Sequence, residues 1–352
     1  MTHSSWQLNC PVQLGGDEQR ITLAHGEGAR LTRRLIDDEI RSRFRSGPLD
    51  ALPDAAHVDV TGNRIAVTTD SFVVSPLFFP GGDIGSLAVH GTVNDLAVSG
   101  ATPRWITLSL ILEEGLPLPA LGRVLDSFAA AACECAVEVI AGDTKVVPRG
   151  AADGMFLNTT GIGTITGSPP AGPQTIESGD VLLVSGPIGR HGMAVLCARE
   201  ELALEPAPRS DSAPLTGVVE TLLRAADGNV RAIRDATRGG VSAVLHEWAD
   251  ACELSFRLQE SRLPVSADVR GASELLGIDP LYVACEGTLV AAVAPGVADQ
   301  VIESLCSRPD SSGAAVIGSA TDRTICPVTI RRTLGREQPV DEPTGAMLPR
   351  IC

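Results

Sequence analysis

The sequence predicts an α+β protein of two domains followed by a short carboxy-terminal tail. Three observations carry that prediction. The chain has 352 residues, enough for about two domains at roughly 150 residues each. Hydrophobic residues make up 44% and charged residues 20%, the proportions of an ordinary globular chain. Strand and helix patterns mix without regular βα alternation, which favours α+β over a doubly wound parallel sheet. The expected organisation is an extension at 1–20, a first domain at 21–167, a second at 168–334 and a flexible tail at 335–352.

The elements follow in order. Ile21 to Ser46 opens on His25-Gly26-Glu27-Gly28 and continues as a charged amphipathic helix through Leu31, Leu35, Ile36 and Ile40. Strands are expected at His57–Val60 and Arg64–Thr69. Pro76, Pro80, Gly81 and Gly82 then punctuate a loop that leads into a helix from Ile84 to Ser99. Trp105–Leu112 reads as a strand, Pro119–Ala136 as a helix, and Val137–Ala141 and Met155–Ile165 as further strands. The turn-rich stretch Gly167–Gly179, with three prolines, marks the domain boundary. Beyond it, strands are expected at Val181–Ser185 and Thr288–Val293. Helices are expected at Met193–Glu201, Val218–Ala226, Val241–Cys252 and Val297–Cys306.

Charge narrows the partners. Asp and Glu outnumber Lys and Arg by 43 to 28, a net charge of −15. Without a basic stripe such a chain is a poor binder of a phosphate backbone, which argues against nucleic acid. No apolar run reaches the roughly 18 residues of a membrane span, and Met1 to Asp17 lacks a secretory pattern. The expected compartment is the cytoplasm, with no membrane partner.

Of the 28 basic residues, Lys145 is the single lysine. An arginine-biased genome accounts for the others. It leaves Lys145 as the candidate for a site that needs a compact, titratable ammonium rather than a planar guanidinium. The nine cysteines are scattered and odd in number, a poor disulfide framework in a cytosolic chain. Eight read as packing residues. Cys352 stands apart as the final residue, on a tail that could extend over about 50 Å.

Four acid- or glycine-rich stretches read as junctions where strands hand over to helices. They are Thr69-Asp70-Ser71, Gly81-Gly82-Asp83 with Asn94-Asp95 in the helix that follows, Gly142-Asp143-Thr144-Lys145, and Asp235-Ala236-Thr237-Arg238-Gly239-Gly240. Each alone could be a helix cap. Together they supply carboxylates for Mg²⁺, free backbone N–H groups for phosphate and a lysine for a transferring group. No Walker sequence is present, which excludes a P-loop NTPase, and the protein-kinase pattern is absent too. Glu286, in Ala284-Cys285-Glu286-Gly287, is either a partly buried base or a surface turn acid. His246, in an apolar helix, and His191, at a helix start, each have a structural reading beside a functional one.

The stretches TDSFVVSPLFFPGGDIG, GTVNDLAVSGA, LILEEGLP, AGDTKVV, DVLLVSGPIGRHG, RDATRGGVSAVLHE and ACEG, with the ending PRIC, run in one order from about Ile21 to Cys352. In that combination the chain resembles the HypE family, the carbamoyl dehydratases of nickel–iron hydrogenase maturation. The glycine and aspartate motifs are shared with the wider superfamily of aminoimidazole-ribotide synthetase and selenophosphate synthetase. The PRIC ending is far more specific.

The resemblance implies a homodimer of aminoimidazole-ribotide-synthetase-like subunits that binds ATP and Mg²⁺. A HypF-type carbamoyltransferase would place a carboxamide on Cys352, ATP would drive its dehydration to a thiocyanate, and the cyanide would pass to iron on a HypC–HypD-type scaffold. Carried over residue by residue, Lys145 and Glu286 match the catalytic pair, with His246 as a third candidate. Asp70, Asp95 and Asp235 match the metal-binding acids. His25, Gly26, Asp83, Asn94, Asp143, Thr144 and Arg238 form the candidate nucleotide set. One departure stands out: the family's His-Gly-x-Gly-Gly loop ends here on Ala29 and contains Glu27. Alanine lacks the left-handed freedom of glycine, and Glu27 adds negative charge near the expected phosphates. Two other readings remain open. One is another ATP-dependent synthetase of the superfamily acting on a free small molecule, for example selenophosphate synthetase. The other is a non-enzymatic assembly chaperone.

Overall fold

The computed structural model describes residues 30–34, 37, 55–60, 63–343, 348 and 350–352. The extension, His25 and Gly26 lie outside the described residues. After a short helix α1 (Arg30–Arg34), strands β1 (Ala56–Val60) and β2 (Asn63–Phe72) pair antiparallel. A two-residue ribbon, β3 (Phe78–Phe79) with β4 (Gly82–Asp83), leads into helix α2 (Ile84–Val98). Strand β5 (Thr102–Glu113), helix α3 (Leu118–Glu134), and strands β6 (Glu138–Val147) and β7 (Met155–Ile165) complete the first domain.

The five long strands form one sheet in the order β1-β2-β7-β5-β6. Its pairs are antiparallel except β5 with β6, which are parallel and need the crossover helix α3 between them. Side chains alternate across the sheet: Met155, Leu157 and Thr159 of β7 face inward while Phe156 and Asn158 face out. Helix α2 covers the inner face and is buried almost all round. It must be, because its other side packs on the second domain.

That domain holds β8 (Val181–Val184), α4 (Arg190–Arg199), α5 (Thr216–Ala226), β9 (Val230–Asp235), α6 (Gly240–Cys252) and β10 (Ser255–Gln259). It continues through α7 (Ala267–Leu276), β11 (Leu289–Val293), α8 (Ala298–Cys306), β12 (Ala315–Thr321), β13 (Val328–Arg331) and β14 (Glu337–Pro339). Its seven-stranded sheet runs β14-β13-β10-β12-β8-β11-β9. Strand β11, Leu-Val-Ala-Ala-Val, is buried throughout because helices cover both faces. Val290 and Ala292 pack toward Trp248 and Leu245 of α6, and Leu289 and Ala291 toward Leu222 of α5 and Val301 of α8.

Three expectations change. The Gly142-Asp143-Thr144-Lys145 stretch is not a junction but the middle of β6, because pairing with β5 continues to Glu113↔Val147. Gly142 permits this: a Cβ there would lie 2.5 Å from the Leu108 carbonyl oxygen of β5. The start of the tail is likewise strand, since Glu337–Pro339 adds to the sheet beside β13. Cys133 and Cys306 are exposed, so packing does not account for them. Strands β9, β10, β12 and β13 and helix α7 are additional elements. A glycine within β12, Gly318, reads in sequence as a turn signal.

Trp248 is 2% exposed and centres the α6 face of this core. Trp248→Ala is expected to lower the unfolding free energy by about 3–5 kcal/mol, read by urea denaturation. A loss under about 1 kcal/mol would contradict that packing role.

Candidate active site

Residues from both domains converge on the turn Cys285-Glu286-Gly287, just before β11. The carboxylate of Asp211 accepts the N–H groups of Glu286 and Gly287 at 3.2 Å each and the Thr288 hydroxyl at 3.0 Å. Only glycine fits at 287, where a Cβ would lie 1.8 Å from the Asp211 carbonyl oxygen. From the opposite side, Asn94 of α2 donates through Nδ2 to the carbonyls of Glu286 at 3.2 Å and Ala213 at 3.1 Å. Its Oδ1 accepts the Leu215 N–H at 2.7 Å. The expected nucleotide contact at Asn94 is thus a clamp between domains, since both ends of its amide are engaged by backbone.

The turn is rigid, and it aims one carboxyl inward. Glu286 is 2% exposed, and its Oε1 has no hydrogen-bond partner among the described residues. Burial is the main reason its pKa stands well above the usual carboxylate range. Asp235, Asp70 and Asp211 push it further, and Arg238 opposes them.

The neighbours come from separate elements. Asp70 lies on the inward face of β2, its Oδ2 over Gly91 of α2, where a Cβ would be 3.7 Å away. Burial raises its pKa, while Arg238 and the Ser71 N–H pull it back. Asp95 lies one helical turn beyond Gly91 and accepts the hydroxyl of Thr68 at 2.7 Å. Asp235 ends β9 opposite Leu289 and is 4% exposed. Arg238 follows in the turn into α6, beside a polar recess of about 90 Å³ that Asp235, Thr237 and Glu247 also line. Among the described residues, no three His, Cys, Asp or Glu side chains close into a ready metal cage. The expected set of Asp70, Asp95 and Asp235 is therefore not gathered around one point.

Other expected site residues are placed elsewhere. The Asp83 carboxylate caps α2, accepting the N–H groups of Gly85 at 2.7 Å and Ser86 at 3.2 Å. His246 is anchored through Nδ1 to the Ser242 carbonyl at 2.8 Å, one turn back on α6. Burial lowers its pKa. Its helix also holds the chain's last stretch, since Ser242 donates to the Asp341 carbonyl at 3.1 Å. Asp143, Thr144 and Lys145 lie on the exposed edge strand β6. Lys145 pairs with Asp143 at 2.7 and 2.5 Å, and that contact is the chief cause of the low Asp143 pKa. Lys145 is in register with Ile111 and, beyond it, outward-facing Phe156. It therefore projects from the face of the sheet opposite Asp70.

The chain's end is docked rather than free. Val73 donates to the Cys352 carbonyl at 3.1 Å and Ser75 to the Arg350 carbonyl at 3.3 Å. Arg350 reaches the Val73 carbonyl at 3.0 Å and Asp153 at 2.8 Å. Leu348 and Ile351 are buried in the core that contains Phe72 and Val74. Cys352, half-buried, thus lies beside the residues that follow β2, the strand carrying Asp70. Asp211 escaped the sequence reading. It lies in a loop broken by Pro206, Pro208 and Pro214, and its partner Glu286 is 75 residues away.

Comparison with known proteins supplies the context. Residues 53–165 match the AIR synthase related protein N-terminal domain, and residues 177–330 its C-terminal domain. The chain is 46% identical over 337 residues to carbamoyl dehydratase HypE of Escherichia coli (strain K12), covering 94% of this chain and 99% of that one. A solved HypE–HypF complex contains a chain 42% identical, with a TM-score of 0.82 over 88% of this chain and 99% of that chain. A HypE structure in complex with ATP is 42% identical, with a TM-score of 0.78, covering 94% and 100% of the two chains.

Because Glu286 holds its proton more tightly folded than unfolded, it contributes stability that is full below the unfolded pKa and lost as pH rises through the folded one. Thermal melts of the parent and Glu286→Gln should therefore agree near about pH 4.5. Above that, the parent should fall progressively below the variant. Parallel melting curves across the range would contradict the burial of this carboxyl.

Proposed function

The chain belongs to the HypE family of carbamoyl dehydratases and is an ATP-dependent dehydratase of hydrogenase maturation; from that premise we propose that its substrate is an S-carboxamide on its own Cys352, converted to a thiocyanate. The observation that carries this reading is the docking of Cys352 beside Val73, immediately beyond the strand that carries Asp70.

The residues fit the chemistry. When bound, ATP supplies the phosphoryl group that the carboxamide oxygen accepts, which turns that oxygen into a leaving group. Cys352 keeps the reacting carbon through its thioester-like C–S bond. Of the two N–H protons one leaves to solvent once the oxygen is phosphorylated, and Glu286 takes the other as the C–O bond breaks, leaving S–C≡N and phosphate. An amide N–H is a very weak acid, so a positioned base is necessary. Lys145 provides an ammonium for the charge that develops on the departing oxygens.

A buried carboxyl with an unpartnered oxygen, facing Asp70 and Asp235, fits a divalent cation, and Mg²⁺ is held by one or two carboxylates together with phosphate oxygens. Asp70 and Asp235 would hold it, with Asp95 one turn away. The chemistry it supplies is positive charge that favours the carboxylate form of Glu286. Arg238, Asp143 and Thr144 remain candidates for nucleotide contact.

Lys145 and Glu286 lie on opposite sides of the first sheet, and a second copy of the chain reconciles them. Strand β6 is an unpaired edge, and Trp105, Ile111, Val139, Ile140 and Val146 on β5 and β6 are exposed. An apolar sheet edge of this kind calls for a cover. A homodimer formed through it would cover these side chains, and for Lys145 to act with Glu286 it is the partner's Lys145 that would serve this chain's site. The HypF-type carbamoyltransferase is the donor of the carboxamide, in keeping with the solved complex of a relative. A HypC–HypD-type scaffold receives the cyanide. No helix among the described residues is long and apolar enough to cross a membrane, and the free cysteines suit the reducing cytoplasm.

Cys352→Ala should abolish both carbamoyl acceptance and thiocyanate formation without changing the melting temperature. Intact mass after incubation with the carbamoyl donor decides it, and a mass gain that survives in the variant would overturn the assignment. Lys145→Arg should keep charge and fold but slow dehydration by roughly 10²-fold or more, so that the carboxamide accumulates on Cys352. Conversion at the parent rate would mean that the single lysine has no special role. Val146→Asp, at the exposed edge, should yield a monomer by light scattering and lose dehydration while Cys352 still accepts the carboxamide.

A further inference from the structure

His191 is the second residue of α4, wholly buried, with its ring edge-on to Phe79 at 5.3 Å. Its Nε2 lies 2.8 Å from the Ile351 carbonyl oxygen. A carbonyl only accepts, so Nε2 carries the hydrogen. Its Nδ1 lies 2.8 Å from the Ser210 hydroxyl. That hydroxyl already accepts the Ser212 N–H at 3.0 Å, which leaves its own hydrogen for Nδ1. Ser210 is itself fixed, its N–H donating to the Pro80 carbonyl at 2.8 Å. The result is a neutral imidazole held in one tautomer, with both nitrogens satisfied.

We propose that His191 is the positioning residue that holds the chain's last residues in the docked state from which Cys352 presents its thiol. The proposal rests on the reading of Cys352 as the reacting group. Two observations single out this contact among those that hold the tail. The tail's ion pair, Arg350 with Asp153, joins half-exposed groups whose partners water can replace. The His191–Ile351 bond is buried, and water cannot substitute for it without leaving a polar group unmet. Arg350 also adopts a left-handed backbone, φ 56°, a conformation that persists in a non-glycine residue only where surrounding contacts impose it. The next residue, Ile351, supplies such contacts, with its side chain buried in the first core and its Cδ1 within van der Waals reach of a Cβ built at Gly192.

Two near-isosteric variants separate the two ring contacts. The amide nitrogen of His191→Gln stands where Nε2 stood and can still donate to Ile351. The amide of His191→Asn stands near Nδ1, keeping Ser210 but losing the tail. The readout is the rate of iodoacetamide labelling of Cys352 in the full-length protein, followed on the carboxy-terminal peptide by mass spectrometry. Exposed Cys133 serves as the internal reference. His191→Asn should label Cys352 roughly tenfold faster than the parent, the scale for losing one buried hydrogen bond. His191→Gln should stay within about twofold of the parent. Ser210→Ala, which keeps the ring and its packing but releases the tautomer, should move the rate in the same direction as Asn. Labelling of Cys352 at the parent rate in His191→Asn, or equal acceleration in Asn and Gln, would overturn the proposal. The labelling uses neither ATP nor a carbamoyl donor, so its outcome is separate from that of the dehydration reading.

Discussion

The amide of Asn94 joins the two domains through three hydrogen bonds to backbone, and the position of Glu286 depends on it. A buried amide engaged this fully has little alternative, because breaking any one bond strands a polar group away from water. The constraint extends in both directions. Helix α2 is tied to the Glu286 turn and to the chain entering α5. The turn is tied in turn to Asp211. A carboxyl without a partner can be kept at the domain junction only because the main chain around it is held from both sides.

Charge gives that junction its character. Asp70, Asp235 and Glu286 approach one another in a buried setting, and Arg238 is the cation that offsets them. Burial and like charge both favour the protonated form of Glu286. Lys145, the single lysine, is on the far face of the sheet, on an edge strand whose apolar side chains remain uncovered. Within one folded chain, Glu286 and Lys145 thus lie on opposite sides of the first sheet.

The last residues of the chain are part of the same arrangement. They return to the residues following β2, where backbone pairing with Val73 and Ser75, the Arg350–Asp153 contact and the buried His191–Ile351 bond hold them. A terminal cysteine is useful to a reaction only if it is reproducibly near the groups that act on it. Docking onto the residues after β2 fixes where this cysteine lies by short-range contacts alone.

Much of this was legible in the residues themselves. Pattern located α2, α6, β7 and β11 to within a few positions, because each carries a regular stripe, an apolar run or a clear start signal such as Asp83 before α2. Chemistry singled out Glu286, Asp70, Asp235 and Arg238 as site candidates, the residues that the fold brings together, and composition singled out Lys145. Local pattern could not place Asp143 and Lys145 in the middle of a strand, since that depends on pairing with β5 far along the chain. Nor could it tell that the amide of Asn94 joins two domains, that the carboxylate of Asp83 closes a helix, or that Asp211 holds a turn 75 residues away. A hydrogen-bonding side chain looks the same in sequence whether it meets a ligand or a distant backbone. Only the tertiary structure, by bringing remote segments into contact, decides which.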